Sequence, residues 1–239
     1  MLLVVLAKRD EAYGLRIKKL RITPGILRLM IKVGIPVGLQ NAVISFSNVF
    51  VQSYINYFQS SVMAAWTAVF RVHQVLILPQ QSLGMAATSF VGQNYGAQNE
   101  KRAAQGVRVC LLSALAITVV LSAAMMLFRT PLVRLFNKEA DVVYYGAAFS
   151  LMFAPFHLCI CFEQVLAGAI RGAGDSKRPM LIILLCYAAL RQVYLFIASR
   201  LTENVFVIVA SYPFCWLVCM VTMIICYRAG KWKKFLLKS

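Results

Sequence analysis

Six apolar stretches govern what this chain can become. They cover residues 31–56, 62–90, 107–128, 142–170, 180–198 and 205–227, and each reaches the roughly 20 residues that a helix needs to cross the hydrocarbon core of a bilayer. No water is present there to satisfy backbone N–H and C=O groups, so such stretches close their hydrogen bonds within themselves as helices. Hydrophobic residues make up 61% of the chain and charged residues 14%, where a soluble domain carries about 25% charged residues. A solvated shell cannot be built from so few charges. The expectation is an all-α integral membrane protein, with a six-helix transmembrane bundle over residues 26–230. Residues 1–25 read as the end of a preceding helix followed by a basic cytoplasmic linker, and residues 231–239 as a basic cytoplasmic tail. Residues 1–7 lack the basic leader and small-residue cleavage site of a signal peptide.

The formal net charge of +17 would suggest nucleic acid in a soluble protein. Here the basic residues stand in short runs between apolar stretches, so nucleic acid is not the expected partner. Nineteen lysines and arginines fall on one side of the expected bundle and four, Arg129, Arg134, Lys138 and Arg200, on the other. The positive-inside rule makes the richer side cytoplasmic. Both termini are then cytoplasmic in a multi-pass protein of the cell membrane, with the lipid bilayer as its first partner. Seven cysteines, all within apolar stretches and none in a CxxC pair, indicate neither a disulfide framework nor a metal site. A phosphate-binding glycine loop and a nucleophile elbow are also missing from the sequence. No catalytic residue, cofactor or metal is expected.

Polar groups inside a bilayer are costly, so their placement is informative. On the first stretch Asn41, Ser45, Asn48, Gln52 and Asn56 fall within an arc of about 80° at 100° per residue. Val43, Phe46 and Phe50 occupy the other side. Two readings stand: hydrogen bonding between helices, or the lining of a wet cavity. The second stretch carries Arg71, Gln74 and Gln81 on one face and His73 and Gln80 on another, with Pro79 between. Either a hydrogen-bonded kink or an access route fits. Glu163 is the one acidic residue inside an apolar stretch. It is a candidate for the coupling ion, or a partner of Arg171 two turns away. Ser150, His157, Gln164 and Arg171 recur every seven residues, nearly on one face. Tyr187, Arg191 and Tyr194 share a face where a guanidinium can stack on tyrosine.

Two loop motifs narrow the reading further. After the second stretch come Gly92, Gln93, Asn94 and Gly96, then Arg102; after the fourth come Arg171, Gly172, Gly174 and Asp175. The glycines suit tight turns where helices leave the membrane, and Arg102 and Arg171 suit anchoring at headgroups. With Gly34-Ile35-Pro36, Gln40-Asn41, Tyr212-Pro213 and Trp216, they make the chain resemble multidrug and toxic compound extrusion (MATE) transporters over nearly its whole length. The resemblance implies the second six-helix half of a twelve-helix transporter. It implies a secondary active efflux antiporter, exporting organic and often cationic compounds or drugs in exchange for H+ or Na+. A first-half bundle, on a separate chain or a missing segment, or a second copy of this chain, would complete it. The candidate cavity residues are Asn41, Ser45, Asn48, Gln52, Asn56, Arg71, Gln74, Gln81, His157 and Gln164. Three rivals remain: a flippase of lipid-linked oligosaccharide precursors from the same superfamily, a non-transporting packing or regulatory fragment, and a membrane enzyme built on His157 and Glu163.

Overall fold

The computed structural model describes residues 23–230. The expected helix end and basic linker, up to residue 22, and the expected basic tail from residue 231 lie outside the described residues. Residues up to Ile35 and residues from Pro36 onward form two compact units. Of the first, the described part is the leading turns of helix α1 (Pro24–Ile55). The second unit holds the rest of α1 and every later helix.

Among the described residues all regular structure is helical. After α1 come α2 (Ser60–Gly96), α3 (Glu100–Leu127), the short α4 (Arg129–Arg134), α5 (Ala140–Phe153) and α6 (His157–Gly172). Then follow α7 (Lys177–Leu184), α8 (Arg191–Leu201), the short α9 (Val205–Val209) and α10 (Ser211–Arg228). Six crossings result, because α5 and α6 are joined by a 3₁₀ turn at Ala154–Phe156, and α7 and α8 by a π-helical turn at Leu185–Leu190. Pro155 sits in the 3₁₀ turn, where its missing N–H and fixed ring break the α-helical ladder. Pro79 lies inside α2 without ending it. With 37 residues, α2 is about 55 Å long at 1.5 Å per residue, so it outreaches the apolar slab at its ends.

Large apolar side chains are exposed along the spans, among them Phe46, Leu112, Val120, Leu151, Leu185 and Ile225. In water that surface would be unfavourable, whereas lipid accepts it. The chain is an all-α membrane protein. Its interior is built differently, around rings: Trp66 lies against Phe70, Phe149, Phe153 and Tyr212, and Phe153 against Trp216.

Helices α2 and α6 cross in close contact, and glycine makes it possible. A Cβ at Gly168 would sit 2.2 Å from the Gly84 carbonyl oxygen, one at Gly172 2.4 Å from the Thr88 carbonyl oxygen, and one at Gly84 2.8 Å from the Gln164 carbonyl oxygen. Thr88 Oγ1 donates across the crossing to the Gly168 carbonyl at 3.0 Å. Without a hydrophobic drive between helices in lipid, such small-residue contact is what holds spans together.

Here the structure corrects the turn reading of the loop glycines. Gly92 and Gly172 are helical, and Gly92 also faces the Gly172 carbonyl. Gly96 is the last residue of α2, and a Cβ there meets nothing within 4 Å. Of the four, Gly174 alone has positive φ, at +93°. The turn after α2 is made by Gln98, at φ 56°.

Candidate functional site

Helices α1, α2, α6, α8 and α10, with the π turn before α8, line an open cavity of about 350 Å³. From α1 it takes Val37, Gln40, Asn41, Ile44 and Asn48, a line of i+3 and i+4 steps down one side. From α2 come His73, Gln74, Gln81 and Thr88, and from α6 Ile160, Glu163, Gln164 and Arg171. Tyr187 of the π turn, Arg191 of α8, and Tyr212 and Trp216 of α10 complete the wall.

Glu163 is buried. Tyr187 Oη donates to its Oε2, and Gln164 Nε2 to its Oε1 at 3.3 Å. The Arg171 and Arg191 guanidiniums line the same cavity as the carboxyl. Arg171 nevertheless spends its hydrogen bond elsewhere, donating from Nη2 to Gln40 Oε1 at 3.2 Å. The expected headgroup anchor is thus part of a cavity wall, because α6 carries it inward onto α1. Arg191 donates from Nη1 to Asn48 Oδ1 at 3.0 Å, and Tyr212 Oη donates to the same oxygen at 3.2 Å. The guanidinium lies 5.0 Å from the Tyr187 ring centroid and 4.1 Å from that of Tyr212.

Within the wall His73 carries a buried neighbour: its Nδ1 and His157 Nε2 are 2.9 Å apart, and Trp216 stacks on His73 with ring centroids 5.0 Å apart. His157 is wholly buried in this pair and does not line the cavity. It also shares no partner with Glu163, and the two are six residues apart on one helix, so they point different ways.

A sequence profile of the MatE family matches residues 36–197. The chain belongs to the MatE family. Relatives of this MatE chain include the "Probable multidrug resistance protein YpnP" of Bacillus subtilis, 30% identical over 86% of this chain and 46% of that one. Another is YoeA of the same organism, described likewise, 24% identical over 90% of this chain and 46% of that one. The fold matches a solved outward-facing multidrug resistance MATE family transporter of the MOP superfamily. The TM-score is 0.85 at 19% identity, over 97% of this chain and 52% of that one. The chain spans about half the length of the curated relatives it matches.

Within this MatE chain the residues singled out by sequence separate into groups. Asn41, Asn48, Gln74, Gln81, Glu163, Gln164 and Arg171 converge on the cavity. Gln52 and Arg71 line another depression, with Phe136 and Asn137. Ser45 and Asn56 line neither, since the side of α1 that faces the cavity is centred on Gln40, Ile44 and Asn48 and they lie further round the helix. Asn56 instead accepts from Gln52 Nε2 at 2.9 Å.

Among the loop motifs, Asn94 is buried and donates to the Phe90 carbonyl, and Gln93 is exposed. Asp175 caps α7, accepting from the backbone N–H groups of Lys177 and Arg178. The Arg102 guanidinium lies 5.9 Å from the Phe90 ring centroid. Sequence reasoning missed Gln40, Tyr212 and Trp216 as wall residues. The signal for Tyr212 and Trp216 was the polar and aromatic edge of an apolar span. Among the described residues no three His, Cys, Asp or Glu side chains gather as metal ligands.

Proposed function

We propose that the chain is one six-helix half of a multidrug efflux antiporter, exporting organic compounds, cationic ones among them, in exchange for H+ or Na+. The observation that carries this reading is the polar cavity inside an apolar bundle, with one buried carboxyl, Glu163, in its wall. A carboxyl there alternately takes up and releases a proton or a sodium ion, which makes Glu163 the coupling candidate. Asn41, Asn48, Gln74, Gln81 and Gln164 supply neutral hydrogen-bonding groups for varied solutes, and Ile44, Ile77 and Met85 supply apolar surface. No cofactor is needed, and the chain acts as a carrier rather than a catalyst.

Alternating access needs a second body against which this bundle rocks. A first-half bundle is that body, and a second copy of this chain is the substitute. The charge asymmetry of the loops supports a cell-membrane protein with both termini cytoplasmic. Reconstituted with a matching first half, the chain should drive dye efflux from liposomes on an imposed proton or sodium gradient. Reconstituted alone, it should drive none. Failure with every supplied first half would favour a packing or regulatory fragment.

A second reading, a flippase of lipid-linked oligosaccharide precursors, is favoured by two arginines in the wall, which suit a pyrophosphate. The modest 350 Å³ of the cavity speaks for smaller solutes. Transfer of a lipid-linked sugar without dye efflux would decide for it.

A further inference from the structure

The charged groups of the cavity wall are unbalanced. Two guanidiniums, Arg171 and Arg191, face one carboxylate, Glu163. That carboxylate already accepts from Tyr187 and Gln164, and no guanidinium hydrogen-bonds to it. Arg191 is only 1% exposed. One of its nitrogens is bonded to Asn48, while Nε and Nη2 find no acceptor. Arg171 Nε is likewise without an acceptor. Buried N–H donors on a charged group that lack acceptors are costly, and a guanidinium fork fits an oxyanion in two-point fashion. Two tyrosine rings clasp Arg191, so it is held in place before any ligand arrives.

We infer that this cavity holds an anion subsite centred on Arg191 and completed by Arg171. Its ligand is a compound with a carboxylate, sulfonate or phosphate group on an apolar or aromatic body, the body resting on the apolar lining at Ile44, Ile77 and Met85. The inference rests on reading the cavity as a solute site. Within the solutes proposed above, it selects acidic and zwitterionic ones for this wall, while a purely cationic solute would meet two like charges here.

The test is equilibrium binding to the purified full chain in nanodiscs of neutral phosphatidylcholine, read by energy transfer from tryptophan, with Trp216 in the wall. The probes are dansylglycine, its neutral methyl ester and the cationic dansylcadaverine. The acid should bind on the order of tenfold more tightly than the ester, as a charge-assisted hydrogen bond out of water implies, and more tightly than the cation. The acid-to-ester ratio should fall to about one in Arg191→Gln, survive in part in Arg191→Lys, and shrink in Arg171→Gln; the pair of Arg171 and Arg191 variants keeps the test open if one fails to fold. Repeating the titration with phosphatidylglycerol in the disc tells the source of the anion. Loss of acid binding there assigns the subsite to a lipid headgroup, and retention to a soluble acid; both outcomes support an anion subsite. Equal binding of acid and ester to the unaltered chain, preference for the cation, or a ratio unchanged in both Arg191→Gln and Arg171→Gln would overturn it. Because no transport is measured, acid binding without efflux would sink the antiporter reading alone, and efflux of cations without acid binding would sink the subsite alone.

Discussion

Replacing Gly168 with alanine puts a methyl group where the Gly84 carbonyl already is. The new Cβ would lie 2.2 Å from that oxygen and 3.1 Å from Thr88 Oγ1. Ordinary contact begins near 3.5 Å, so α2 and α6 must part by roughly 1 Å. Overpacking of this kind costs about 1–3 kcal/mol. The same movement stretches the Thr88 to Gly168 hydrogen bond, 3.0 Å long, and a bond between membrane helices is worth about 0.6 kcal/mol on average. Alanine's better helix propensity returns up to about 1 kcal/mol, so the expected loss is about 1–3 kcal/mol. Reversible unfolding in mixed micelles, followed by tryptophan fluorescence, measures it. Gly96→Ala is the control: its Cβ would meet nothing within 4 Å, and a better helix former should leave stability unchanged or raised by up to about 1 kcal/mol. Equal stability of Gly168→Ala and the unaltered chain would refute the claim that glycine contact holds this crossing.

Three further outcomes are expected. Reporter fusions after Ser60 and Glu203 should report the external side and one after Asn99 the internal side; a reversed pattern would sink the orientation. Tyr187→Phe, which removes the donor to Glu163 Oε2, should lower stability by about 1–3 kcal/mol in the same unfolding assay, as for a buried group deprived of its partner; no change would show that the bond is dispensable. Glu163→Gln, in a complex reconstituted with a first half, should stay folded and lose gradient-driven efflux, whereas undiminished efflux would remove Glu163 from the coupling role.

The crossings were legible because length and apolarity are local properties. Residues 107–128 predict a span, and α3 is a span from Glu100 to Leu127. Breaks inside a span were less legible: Pro155 marks the 3₁₀ turn, but nothing about the run from Leu185 to Leu190 announces a π turn. The pairing of Arg191 with Tyr187 was readable from spacing along one helix. Its second ring, Tyr212, is a contact between two helices, and no periodicity within either reveals it. The glycines show the same limit. Gly84, Gly168 and Gly172 look like flexible points in one dimension, and only the facing carbonyl shows why a side chain is refused. On α1 the polar stripe is real, but only part of it, Asn41 and Asn48, faces the cavity, because packing rather than polarity sets which side turns inward.

Protection of single cysteines by solute tests the central claim that this cavity is where solute sits. In a background without the seven native cysteines, Gln81→Cys, Gln74→Cys and the control Gln52→Cys would each be assembled with a first half and labelled with a water-soluble thiol reagent. The account predicts that a transported compound slows labelling at Gln81→Cys and Gln74→Cys, which line the cavity, and leaves Gln52→Cys, in the separate depression, unaffected. Equal labelling with and without solute at both cavity positions, during demonstrated efflux, would contradict it.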